Sequence, residues 1–168
     1  MTSTYTLTFN RTHTATFSAD AMRNVLRDLL LGLGLDPLAL ITGWSLNGQA
    51  ARTWLQSGHL RELVLEVYAP GSSKAMARID IPIRYDGSGV DDDMWVDREH
   101  VRRTTAQIGK LPAYYRYDVV FCLAPNAPPV AGMGNATLRD IVGLTPRSAG
   151  TVIATPDIVG GLRYWRAS

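Results

Sequence analysis

Tyr115-Arg116-Tyr117-Asp118-Val119-Val120-Phe121-Cys122-Leu123 is the stretch whose reading decides the fold. Tyr115, Tyr117, Val119, Phe121 and Leu123 fall on one face of an extended chain, and Arg116, Asp118, Val120 and Cys122 on the other. That strict alternation predicts a half-buried β-strand. Directly after it, Ala124-Pro125-Asn126-Ala127-Pro128-Pro129 breaks the pattern, since proline fixes φ and has no backbone donor. A long tail follows, punctuated by Gly132, Gly134, Gly143, Gly150, Gly160 and Gly161. Within it residues 137–144 read as a short element, and residues 151–154 and 162–166 as short strands. A strong strand leading into a pliable tail organises the chain.

Upstream lies a hairpin of the same design. Leu63, Leu65 and Val67 alternate with Glu62, Val64 and Glu66, and Ala69-Pro70-Gly71-Ser72-Ser73 makes the turn. The return places Ala77, Ile79, Ile81 and Ile83 on one face and Arg78, Asp80, Pro82 and Arg84 on the other. Greasy residues inside and ion pairs outside suit a sheet covered by helices on one face. Pro82 cannot donate to a ladder and predicts an edge, a bulge or a strand end. Helical patterns cover 19–33, with Ser18 as N-cap and Met22, Leu26, Leu29, Leu30 and Leu33 as the inner stripe. Two more cover 45–57, with Trp54 inward, and 98–108, capped by Asp97. Residues 4–17, rich in threonine and aromatics, predict a first strand.

At 168 residues the chain suits one domain with a sizeable core. Residues 1–124 carry 13 Lys/Arg against 13 Asp/Glu, and the tail carries Arg139, Arg147, Arg163 and Arg166 against Asp140 and Asp157. This is not the basic footprint of a dedicated nucleic-acid binder. The lone Cys122 excludes an internal disulfide, which fits a reducing cytosol. The first residues lack the basic and apolar regions of a signal peptide, and no apolar run reaches membrane-span length. The sequence thus reads as soluble and cytoplasmic, without a cofactor.

Catalytic patterns are missing. Asp91, Asp92 and Asp93 invite a metal reading, but consecutive residues of an extended chain point in alternate directions, and the Asp-x-Asp-x-Asp-Gly order of a calcium loop is absent. A solvated loop is the simpler account. His13 reads as a strand histidine, and His59 as a cap for the carbonyls of the helix before it. Gly132-Met133-Gly134 lacks the third glycine of a dinucleotide fingerprint. No nucleophile elbow, phosphate loop or paired Cys/His zinc motif occurs.

Three segments carry a resemblance that spans essentially the whole chain. They are Trp54-Leu55-Gln56-Ser57-Gly58-His59-Leu60 running into Val64 to Tyr68, Tyr85-Asp86-Gly87-Ser88-Gly89-Val90-Asp91-Asp92-Asp93-Met94-Trp95, and Ala149-Gly150-Thr151-Val152-Ile153-Ala154 with the terminal Tyr164-Trp165-Arg166. With them the chain resembles the bacterial HORMA domain proteins of CBASS-type antiphage signalling operons. The resemblance implies an α+β, HORMA-like fold: an antiparallel sheet packed on three helices, with a C-terminal safety belt. It implies a single domain over 1–168, with core 1–124 and belt 125–168.

The resemblance further implies a non-enzymatic adaptor that clamps a closure-motif peptide by strand addition. When closed, it would bind and activate a cGAS/DncV-like nucleotidyltransferase in antiphage defence, and an AAA+ remodelling ATPase would reopen it. By position, Val119, Val120, Phe121, Cys122 and Leu123 would pair with the peptide, and Thr151, Val152, Ile153, Ala154, Leu162, Tyr164 and Trp165 would form the docking part of the belt. Self-association through a terminus would use the same groove. The basic helix 98–110, with Arg102 and Arg103, is the candidate surface for the nucleotidyltransferase. Two alternatives stand beside this reading: a small metal-dependent enzyme using residues 91–93 with His100, and a constitutive oligomerisation module.

Overall fold

Residues 11–85 and 94–167 are described by the computed structural model. Helix α1 (Arg11–Gly32) buries Thr14, Ala15, Ser18, Ala19, Ala21, Met22, Val25, Leu26, Leu29 and Leu30. These pairs recur every three to four residues, the helical repeat. Full burial of each leucine contributes roughly 1.5–3 kcal/mol. The strand expected over 4–17 is therefore corrected for 11–17, and its earlier part lies outside the described residues. Threonine-rich sequence enters this helix because the Thr16 hydroxyl donates to Thr12 O (2.8 Å) and the Thr14 hydroxyl to Arg11 O (3.2 Å). Such back-bonding satisfies the hydroxyls, and burial outweighs the weak β preference. Ser18 lies inside the helix and is not its N-cap.

A short helix, α2 (Leu38–Thr42), leads into α3 (Trp44–Gln56). Gly43 precedes α3, which therefore starts without a side-chain cap. Asp97 caps α4 (Arg98–Ile108) as the sequence predicts, accepting from His100 N at 3.0 Å. α1 packs on α3 and α4. At the α1–α4 crossing, Thr105 lies so close to Gly32 that a Cβ has no room, which explains a glycine in the last turn.

Among the described residues six strands form one antiparallel sheet: β1 (Leu60–Tyr68), β2 (Ala77–Arg84), β3 (Trp95–Val96), β4 (Arg116–Leu123), β5 (Leu144–Ala154) and β6 (Val159–Ala167). Their order across the sheet is β3-β5-β6-β2-β1-β4. The deciding stretch is thus an edge strand. The register Leu63↔Phe121, Leu65↔Val119 and Leu65↔Ile79, Ile79↔Tyr164 aligns the apolar rows beneath the helices. On the opposite face Asp118, Glu66, Arg78 and Trp165 line up in one row, and Val120, Val64, Asp80 and Arg163 in the next.

Two expectations about strands change. Pro82 sits in a central strand, not at an edge. The β2–β6 ladder runs to Asp80↔Arg163 and resumes at Ile83↔Gly160, so the missing donor falls in a gap. The tail, in turn, holds two long strands rather than short pieces. β5 begins only at Leu144, so residues 137–143 form no strand beyond a single bridge between Asp140 and Lys74. Bulges at Ser148/Gly150 and Thr151/Ile153 hid its length, because each one interrupts the alternation that a strand pattern needs.

Candidate functional site

β4 pairs with β1 along one side, and no strand among the described residues pairs with its other side. Val119, Phe121 and Leu123 pack against the core beneath the helices, while Val120 and Cys122 share the opposite face with Val64 and Glu62. All five residues predicted to bind a peptide therefore lie on an edge whose outward N–H and C=O groups have no ladder partner. An apolar edge of this kind is a template for a further strand.

The tail walls that edge without pairing to it. Ala124 N donates to His59 O (2.7 Å) as the chain leaves β4. Trp54 then anchors the turn: its Nε1 donates to Pro128 O (2.7 Å), and its ring meets Phe121 edge-on at 5.3 Å. Between this segment and β4 lies a cavity of about 440 Å³, lined by Trp54, Val119, Phe121, Val130 and Met133 among others. A second, more open and more polar cavity of about 660 Å³ continues past Asp118 to Ser72, Thr137 and Arg139. Together they follow β4 over residues 118–123. At about 3.3 Å per residue this stretch matches a segment of roughly six residues.

Beyond the groove the tail crosses the sheet. Arg139 N donates to Glu66 Oε2 (2.7 Å), and its guanidinium contacts Glu66 (3.2 Å) and Asp118 (2.7 Å). The same group sits 3.4 Å from the centre of the Tyr68 ring. Burial and the neighbouring Asp118 carboxylate push the Tyr68 phenol up. Ala75 N donates to Asp140 O (2.9 Å), and Asp140 N to Ser73 O (3.1 Å).

The predicted belt residues lie at the far end of the sheet. Thr151, Val152, Ile153 and Ala154 are in β5, and Leu162, Tyr164 and Trp165 in β6, which pairs with β2. Two strands, β2 and β1, therefore separate β6 from β4, and three separate β5 from it. Their place is held by fully buried Asp80, which accepts from Arg78 Nε (2.7 Å), Arg163 Nη2 (2.7 Å) and Trp165 Nε1 (2.9 Å). Arg163 also reaches Glu62 at 2.5 Å. Burial pushes the Cys122 thiol up, with Glu62 beside it adding to the effect.

Sequence reasoning missed the groove-facing part of the tail, Pro128, Val130 and Met133, and the Arg139–Glu66 contact. Paired prolines marked only a break, and nothing local ties Arg139 to a residue 73 positions earlier. His59 caps a carbonyl of α3 through its backbone, N to Trp54 O at 2.8 Å, while its ring Nδ1 lies 2.8 Å from Ser57 Oγ. Residues 91–93 lie outside the described residues. His100, their supposed partner, turns its Nε2 onto Ala149 O in β5. Among the described residues no group of three acidic, histidine or cysteine side chains is placed to hold a metal, and no helix is long and apolar enough to cross a membrane.

The model of the family described as "Bacterial HORMA domain 2" matches residues 1–168. No curated protein matches the sequence. Among solved structures, a chain of the mitotic checkpoint complex superposes with a TM-score of 0.74 at 9% identity, covering 92% of this chain and 98% of that one. C. elegans HTP-2 bound to the HIM-3 closure motif gives 0.71 at 13% identity, covering 94% and 91%. The E. coli MS115-1 HORMA:CdnC:Trip13 complex gives 0.62 at 13% identity, covering 97% and 93%. At such identities the likeness is one of fold.

Proposed function

The chain belongs to the bacterial HORMA domain 2 family, and from that premise we propose that it is a peptide-binding adaptor of CBASS-type antiphage signalling rather than an enzyme. The observation that carries this reading is the β4 edge, which no strand among the described residues pairs along residues 119–123 and which the tail encloses. A closure-motif peptide would add to it as a further strand, pairing with Val119, Val120, Phe121, Cys122 and Leu123. Main-chain bonds would supply affinity, and the cavity under Trp54 would select the side chains that enter it. Residues 1–124 would act as the core and 125–168 as the belt, docked on β2 through β6 with its Leu162, Tyr164 and Trp165, and carrying Thr151, Val152, Ile153 and Ala154 of β5 alongside β6.

The closure motif seated on C. elegans HTP-2 supports the peptide, and the E. coli assembly with CdnC and Trip13 supports the two protein partners. Those would be a cGAS/DncV-like nucleotidyltransferase, activated by the peptide-bound form, and an AAA+ remodelling ATPase that reopens the belt. On the basic surface 98–110, Arg98 is engaged by Asp28 and Arg102 by Glu99, while Arg103 and Lys110 are both exposed to a partner. The test is reconstitution. Full-length protein is mixed with a candidate nucleotidyltransferase and a peptide selected from a random library, and nucleotide product is followed. Product formation should rise only when the peptide is present. An unchanged rate removes the activating role, and a failure to select any peptide removes the binding role.

A further inference from the structure

Glu66 is the best-enclosed carboxylate near the groove. Its side chain is 1% exposed, and it lies in the interior of β1 rather than at a strand end. Both oxygens are met by one residue of the tail: Oε2 by Arg139 N and Oε1 by the Arg139 guanidinium. A buried carboxylate without a cation is strongly disfavoured, so the tail cannot leave this point without exposing Glu66 to water or stranding it. The same guanidinium reaches Asp118, on the edge strand itself, and the Ser72 carbonyl at 3.2 Å. One side chain thus ties the tail to β1, to β4 and to the turn between β1 and β2.

We propose that Arg139 is the residue that positions the tail over the binding edge. It fixes the crossing point and closes the Asp118 end of the groove, and its release is the step that frees the tail. The remaining ties at the crossing, Ala75 N to Asp140 O and Asp140 N to Ser73 O, are bonds between neutral backbone groups and are weaker restraints than the charge-assisted contacts of Arg139. The hairpin of β5 and β6 is held separately, through Asp80. Loosening the crossing therefore does not require the hairpin to leave the sheet. The role of Arg139 as guard of a ligand rests on the reading of the β4 edge above, whereas its hold on the tail stands without it.

Hydrogen exchange on the full-length, unliganded protein tests this. Arg139→Ala should speed exchange about tenfold or more over residues 72–75 and 137–143, with α1 and β6 changed less than about twofold, as expected when one segment opens locally. Arg139→Lys should restore part of the protection, because a point charge replaces the fork but cannot span all three acceptors. Glu66→Gln keeps the volume and the bond from Arg139 N, and should raise exchange in the same segments by a smaller factor. Unchanged protection in Arg139→Ala overturns the proposal. So does a uniform rise across α1, β2 and β6, which would mark Arg139 as an ordinary stabilising residue. No ligand is present, so failure to capture a peptide and failure of this contact are read in separate experiments.

Discussion

At one end of the sheet β4 presents Val119, Val120, Phe121, Cys122 and Leu123 along an edge that is unpaired among the described residues, with no proline and no lysine. At the other end β5 pairs with β3 only at Ile153 and Ala154, so its first part is also an open edge among the described residues. There the sequence is Thr145-Pro146-Arg147-Ser148, all exposed, followed by a bulge at Gly150. Proline, a charge and a bulge are the devices that stop a strand from recruiting another. The β5 edge is defended by its own sequence, whereas the β4 edge is defended only by a tail that stands beside it. An edge left sticky but screened is what a binding site needs.

Removing the wall of the β4 groove should have the largest effect. Trp54→Ala deletes a 5%-exposed indole and should cost about 3–5 kcal/mol of unfolding free energy in urea titrations. Trp54→Phe keeps an aromatic ring but loses the bond to Pro128 O and leaves a smaller cavity, costing about 1–3 kcal/mol. Next comes the hold on the hairpin. Asp80→Asn leaves two guanidiniums facing a neutral amide and should cost about 2–3 kcal/mol, with thermal unfolding as the readout. Gly150 lies at φ +83°, where a Cβ is strained, so Gly150→Ala should cost about 1–2 kcal/mol.

The smallest effect on stability should come from disarming the β5 edge. Pro146→Val with Arg147→Val should change stability by less than about 0.5 kcal/mol, since both residues are exposed. It should nevertheless produce concentration-dependent self-association in light scattering. A double variant that stays monomeric would show that the β5 edge is protected by something other than its sequence.

The contrast between the edges was half legible in the amino acids. Alternation exposed β1, β2 and β4 because their faces differ consistently, buried against ion-paired. The ion-paired face itself read as solvent-facing, yet Glu66 and Asp80 are fully buried, because their partners come from the tail: Arg139 for Glu66, and Arg163 and Trp165 for Asp80. The start of α1 misled for a different reason. Threonine favours strands locally, and only packing against α3 and α4 makes the helix win. Pro128, Val130 and Met133 follow no period, since they are positioned by Trp54 and not by a ladder.

The central claim is that β4, and not β5, accepts a further strand. Immobilised full-length protein should retain short extended peptides from a random library. Hydrogen exchange on the resulting complex should then show new protection at the outward amides of residues 119–123, with residues 145–148 unchanged. Protection that appears on β5 instead, or peptides retained with β4 exchange unaltered, would contradict the account.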